Sequence, residues 1–113
     1  MNKILNERCA MRFMLKVNIP VEDGNRAAKA GKLGKIIQDI LADIKAEAAY
    51  FTDDNGERTG YLFVDIKDNS EIPKIAEPWF LAFNAAIEFH PVMVPEDLAK
   101  AGPDIERVVK KYA

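Results

Sequence analysis

One stretch constrains this chain more than any other: AAYFT, DDNGER, TGYLFVDI, from Ala48 to Ile66. Asn55-Gly56 tolerates φ > 0 at two successive positions, which a tight two-residue hairpin turn demands. The flanks alternate apolar and polar residues, with Tyr and Phe at strand-favouring positions. With Asn55 and Gly56 central, Asp54 faces Glu57, Thr52 faces Thr59, Tyr50 faces Tyr61 and Ala48 faces Phe63. Directly opposed residues share a sheet face. One face then carries Ala49, Phe51, Gly60, Leu62, Val64 and Ile66, an ordinary core surface. The other carries Tyr50, Thr52, Tyr61, Phe63 and Asp65, the mixture of a surface that awaits a partner or a ligand.

The remaining elements arrange themselves around this hairpin. Met11 to Asn18 alternates and reads as a first strand, with Phe13, Leu15 and Val17 on one side and Arg12, Met14, Lys16 and Asn18 on the other. Pro20 and Gly24 mark a loop. Asn25 caps an expected helix to about Lys45, along which Leu33, Ile36, Ile37, Ile40, Leu41 and Ile44 form an apolar stripe. Gly31 and Gly34 weaken its early part. Arg26, Lys29, Lys32 and Lys35 make a basic row that reads as a solvated face, because no phosphate loop accompanies it: Gly24 and Gly31 stand seven apart. The acidic turn is no calcium loop either, since Phe51 stands where that pattern needs Asp. Ser70 is the expected cap of a second helix carrying Ile72, Ile75, Ala76, Trp79, Phe80 and Phe83, with Pro78 either kinking it or dividing it. Trp79 reads as core. Ile87 to Met93 is the last strand, at a sheet edge because of Pro91. A helix starts at Pro95, breaks at Gly102-Pro103 and is followed by a final helix with Ile105, Val108, Val109 and Tyr112 on one stripe.

Length and charge narrow the function classes. The 113 residues suffice for one domain, expected over 11–113, with residues 1–10 as an N-terminal extension that lacks the apolar run of a signal peptide. Met11 is an alternative start. A formal net charge of -2 and a pI near 5.4 disfavour a nonspecific nucleic-acid binder. A single Cys cannot form an internal disulfide, which fits a cytoplasmic location, and with a single His it disfavours a structural zinc site. No apolar run approaches a membrane span. No cofactor motif is present and none is expected.

The element order is β-α-β-β-α-β with a helical tail, the split βαβ or ferredoxin-like α+β pattern. That pattern implies an antiparallel four-stranded sheet in order 4-1-3-2 with helices on one face. In this order, and in its late FHPVM strand with a lone His, the chain over residues 11–94 resembles the dimeric α+β barrel superfamily. AEPWFLAFNAAIEFHPVM followed by PEDLAKAG also looks like a group of short bacterial proteins without assigned function. The barrel resemblance implies a homodimer whose sheets face each other around a cavity for a small molecule. The superfamily contains cofactor-independent monooxygenases, isomerases, haem enzymes and stress-response proteins, so it does not choose between an enzyme and a non-enzymatic interaction module. TGYLFVDI resembles the third-strand signature of RNA-recognition motifs, with Tyr61 and Phe63 at the base-stacking positions. Thr59, Leu62 and Ile66 depart from that signature, and Lys16 replaces the aromatic expected on the first strand.

The open sheet face is where chemistry is expected. Histidine is the side chain whose unperturbed pKa lies near neutrality, and His90 shares a side with Glu88, which makes it the candidate general acid or base. Lys16, Asn18, Tyr50, Tyr61, Phe63 and Glu88 are candidate ligand-binding residues: Lys16 for a carboxylate, Asn18 and the tyrosines for a carbonyl or phenol. The expected ligand is a small aromatic or carboxylic molecule. The plain alternative for His90 is an edge-strand residue at a dimer seam, and no nucleophile–His–acid triad is legible. The helix-covered face is expected to pack shut.

Overall fold

In the computed structural model, which describes residues 11–113, the hairpin forms in the expected register. Strand β2 (Ala48–Asp54) pairs antiparallel with β3 (Glu57–Ile66), and Asp54, Thr52, Tyr50 and Ala48 lie opposite Glu57, Thr59, Tyr61 and Phe63. Asn55 and Gly56 take φ of 55° and 80°, the doubly left-handed turn that matches strand twist. Strand β1 (Met11–Ile19) lies antiparallel between β3 and β4 (Ala86–Pro91), so the sheet runs β2-β3-β1-β4, which is the expected order. The expected extension, residues 1–10, lies outside the described residues.

The helical layer departs from expectation in its first half. Instead of one helix from Asn25, two helices form: α1 (Val21–Lys29) and α2 (Leu33–Ile44). Pro20 ends the strand and starts α1 directly, and Glu22 and Asp23 fall in a first turn that favours acids. Gly24 and Asn25 are therefore interior residues of α1, neither loop nor cap. Gly31, at φ 71°, ends α1: its N–H bonds the Ala28 carbonyl and that of Lys32 bonds the Ala27 carbonyl. This is the Schellman arrangement, a terminator where only a weak point was expected. The split also re-places the basic row. Arg26 and Lys29 occupy the last turn of α1, where the helix dipole favours cations.

Helix α3 (Glu71–Phe83) runs unbroken through Pro78. Ser70 holds the cap position without capping; its hydroxyl donates to Asp68, and Glu71 accepts the Lys67 and Asp68 N–H groups instead. Helix α4 (Pro95–Tyr112) is also continuous, which corrects the expected break at Gly102-Pro103. Proline there frees one carbonyl, that of Ala99, and on an exposed helix water can satisfy it. Asp97 accepts the Val94 N–H at the helix start.

The core lies between the sheet and the helices. Leu15, Val17, Ile19, Leu62, Val64 and Ile66 pack against Ile40, Ile44, Ile75, Trp79 and Phe83. Trp79 is fully buried and stacks on Phe83 with ring centroids 6.3 Å apart. Each large side chain buried here contributes about 1.5–3 kcal/mol. Among the described residues, no helix is long and apolar enough to cross a membrane.

Candidate functional site

Strand alternation puts Met14, Lys16 and Asn18 on the face away from the helices, and the pairing register carries that face across the sheet as a grid. One row reads Tyr50, Tyr61, Lys16, Glu88. The next reads Ala48, Phe63, Met14, His90, and on the other side lies Thr52, Thr59, Asn18, Ala86. All seven sequence-derived candidates therefore share one surface. They do not form one cluster. His90 stands on one edge strand and Tyr50 on the other, three strand spacings or roughly 14 Å apart. A small ligand can touch His90, Glu88 and Lys16, or Lys16 and the two tyrosines, while Lys16 belongs to both sets.

Local contacts fix several of these groups. His90 Nε2 lies 2.9 Å from Glu88 Oε1, with both side chains about half exposed. Protonated imidazole would be an ion-pair partner there; neutral imidazole donates through the same nitrogen. Lys16 Nζ lies 2.6 Å from Asp54 Oδ2. That hydrogen bond holds the ammonium pKa above its ordinary value. Because β3 separates β1 from β2, the pair spans the strand that carries Thr59 and Tyr61. Asn18 Nδ2 donates to Thr59 Oγ1 at 3.1 Å, and that hydroxyl donates to the Glu57 carbonyl at 3.0 Å. Tyr50 and Phe63 meet edge to face, centroids 6.5 Å apart, and Tyr50 remains 65% exposed. At the sheet end Arg12 Nε pairs with Glu47 Oε1 at 2.9 Å, holding the Glu47 carboxyl below its usual range.

Sequence reading missed Asp54 and Thr59 as partners, since pairing register does not show that a lysine will reach over a neighbouring strand. It also missed a feature of the opposite face. A pocket of about 310 Å³ opens between the start of α2 and the turn end of the hairpin, lined by Ile19, Leu33, Ile37, Phe51, Thr52, Arg58 and Thr59. The helix face does not pack shut there. The signal was present in the alternation: Arg58 falls on the same face as Gly60 and Leu62, opposite Ile19.

Among the described residues no group of three or more His, Cys, Asp or Glu is placed to hold a metal ion. No protein-family model, curated protein or solved structure matches this chain.

Proposed function

We propose that this chain works as a homodimeric α+β barrel in which two open sheet faces enclose a small carboxylic or phenolic molecule. One observation carries the reading: the sheet face bearing Tyr50, Tyr61, Phe63, Met14, Lys16 and His90 is covered by no helix among the described residues. Helix α4 does not cover it, and none of its residues is buried among the described residues. Its stripe of Leu98, Ile105, Val108, Val109 and Tyr112 is itself more than half exposed. Most helix stability in proteins comes from packing of such an apolar face, and Pro103 in the interior of this one adds to the need for it. Two apolar surfaces without a partner among the described residues point to a second copy.

Area supports the same occupant. Four strands about 4.8 Å apart and seven residues deep give a face of roughly 19 by 24 Å, on the order of 450 Å². Two such faces hide about 900 Å², short of the ~1,200–2,000 Å² of stable interfaces. The 18-residue α4 adds a stripe about 27 Å long and about 10 Å wide. With both helices engaged the total rises to about 1,450 Å². The helices therefore belong to the interface together with the sheets.

Within that chamber Lys16 is the carboxylate partner, Asn18 and Tyr61 orient polar groups, and His90 with Glu88 is available for proton transfer. The non-enzymatic reading, an interaction module, draws on the spread of the candidate groups across the sheet and on His90 having no hydrogen-bond partner besides Glu88 among the described residues. A thermal-shift screen with small aromatic acids, lactones, haem and flavin separates the two. A ligand whose stabilisation disappears in Lys16→Ala or Tyr61→Ala supports binding. In an enzyme, His90→Ala removes turnover and leaves the melting temperature within a few degrees. In a seam it weakens association instead. The absence of any stabilising ligand from a dimer with a closely packed seam would overturn the binding reading.

A further inference from the structure

The helix-side pocket carries a second proposal, independent of dimerisation. Its walls are apolar: Ile19 from β1, Leu33 and Ile37 from α2, Phe51 from β2. Thr52 and Thr59, which pair across the hairpin, complete the lining. Among the described residues of the lining, Arg58 is the one that carries a charge, and no acid joins it there. Arg58 is half-buried and takes part in none of the ion pairs among the described residues. Its Nη2 donates to Asn25 Oδ1 at 3.1 Å, which pins one end of the guanidinium and leaves other N–H donors uncommitted.

Two glycines make the site. A Cβ at Gly24 would stand 2.5 Å from Arg58 Nη1 and 3.2 Å from its Cδ, so only glycine lets the arginine lie flat along α1. A Cβ at Gly60 would stand 2.8 Å from Phe51 Cε1, so only glycine lets that ring lean across β3 as a wall. Bare backbone under both the charged and the aromatic wall gives the pocket its shape.

We infer that this pocket binds a monocarboxylate with an apolar body, its carboxylate on Arg58 and its hydrocarbon part among Ile19, Leu33, Ile37 and Phe51. The planar guanidinium matches a carboxylate in a two-bond fork, and the neutral apolar walls select against a second charge. A volume of about 310 Å³ lies at the small end of ligand pockets and admits a medium-length hydrocarbon chain such as that of octanoate.

Octanoate, 1-octanol and octylamine, titrated into the full chain by calorimetry with NMR contacts to the ligand methyl, test this. Octanoate is expected to bind at least tenfold more tightly than either neutral or cationic analogue, with contacts to Ile37 and Phe51. Arg58→Gln is expected to lose that advantage while 1-octanol affinity stays the same. Arg58→Lys, which keeps the charge without the fork, falls between. Equal affinity for the three probes, an octanoate affinity unchanged in both variants, or contacts to Met14 and Tyr61 on the open face would each overturn the assignment. Because the pocket lies across the sheet from the proposed dimer face, a monomeric protein that binds octanoate here refutes the barrel and leaves this site standing.

Discussion

Replacing Gly60 by alanine tests the seat of Phe51 with a cost that can be worked out beforehand. The new methyl would lie 2.8 Å from Cε1 and 3.2 Å from Cδ1 of Phe51. Ordinary carbon contacts are about 3.5–4.0 Å, so the ring must retreat by roughly an ångström. Overpacking a site of this kind costs about 1–3 kcal/mol. Phe51 is 49% exposed and can swing toward solvent, which puts the cost at the low end. Alanine in place of glycine within a strand returns about 0.5–1 kcal/mol. The net expectation is a loss of no more than about 0.5 kcal/mol. In a Phe51→Ala background the obstruction is gone, and Gly60→Ala should be neutral or stabilising by up to about 1 kcal/mol. The gain cancels between backgrounds, so the cycle predicts a coupling equal to the packing cost, about 1 kcal/mol. Urea unfolding at one fixed protein concentration measures it, with an unchanged m-value as the control. Equal effects of Gly60→Ala in both backgrounds would refute the packing argument.

Lys45 holds φ 54° at the end of α2, and Lys45→Gly should stabilise the fold by about 1 kcal/mol in the same assay; a loss of stability would show that its side chain contributes more than its backbone costs. The Trp79 indole N–H is buried without a hydrogen-bond partner among the described residues. Trp79→Phe removes that unmet donor, a gain of about 1–3 kcal/mol set against lost packing, and should stay within about 1 kcal/mol of wild type, whereas Trp79→Ala should cost about 3–5 kcal/mol. A loss above 3 kcal/mol for Trp79→Phe would mean the N–H is satisfied. Asp23 sits below its usual pKa because Asn84 and then Arg26 donate to it, and Glu47 sits low through Arg12. Depressed folded pKa values mean stability that is present above the unfolded values near 4 and lost as pH falls through the folded ones. Asn84→Gly, which keeps the left-handed backbone, should make acid destabilisation shallower below about pH 4; an unchanged acid limb would contradict the assignment to Asp23.

The sheet was legible because its physics is local and two-fold. Asn55-Gly56 set the hairpin register, and alternation in Met11–Asn18 and Ile87–Met93 then assigned the remaining candidates to the open face, although the last strand ends at Pro91, short of the expected Met93. The helical layer was less legible because its punctuation is ambiguous. Gly31 terminates a helix while Gly34 sits inside one, and only the closing hydrogen bonds from Gly31 and Lys32 distinguish them. Pro78 and Pro103 are both carried within continuous helices, which proline alone does not foretell. Contacts that cross a neighbouring strand or join distant elements, Lys16 to Asp54 and Arg58 to Asn25 over Gly24, follow from three-dimensional placement that no spacing encodes. The helix-side pocket belongs with these, since it depends on two missing Cβ atoms facing two large side chains.

Sedimentation equilibrium of the purified chain tests the use of the open sheet face most directly. The expected mass at micromolar concentration is twice the 12.7 kDa of one chain. Phe63→Asp, which places a charge in the middle of the bare face, should return it to 12.7 kDa with the far-ultraviolet spectrum of the fold retained. A wild-type mass of 12.7 kDa at every concentration up to the millimolar range, or a dimer indifferent to Phe63→Asp, would contradict the assignment of that face to a second copy.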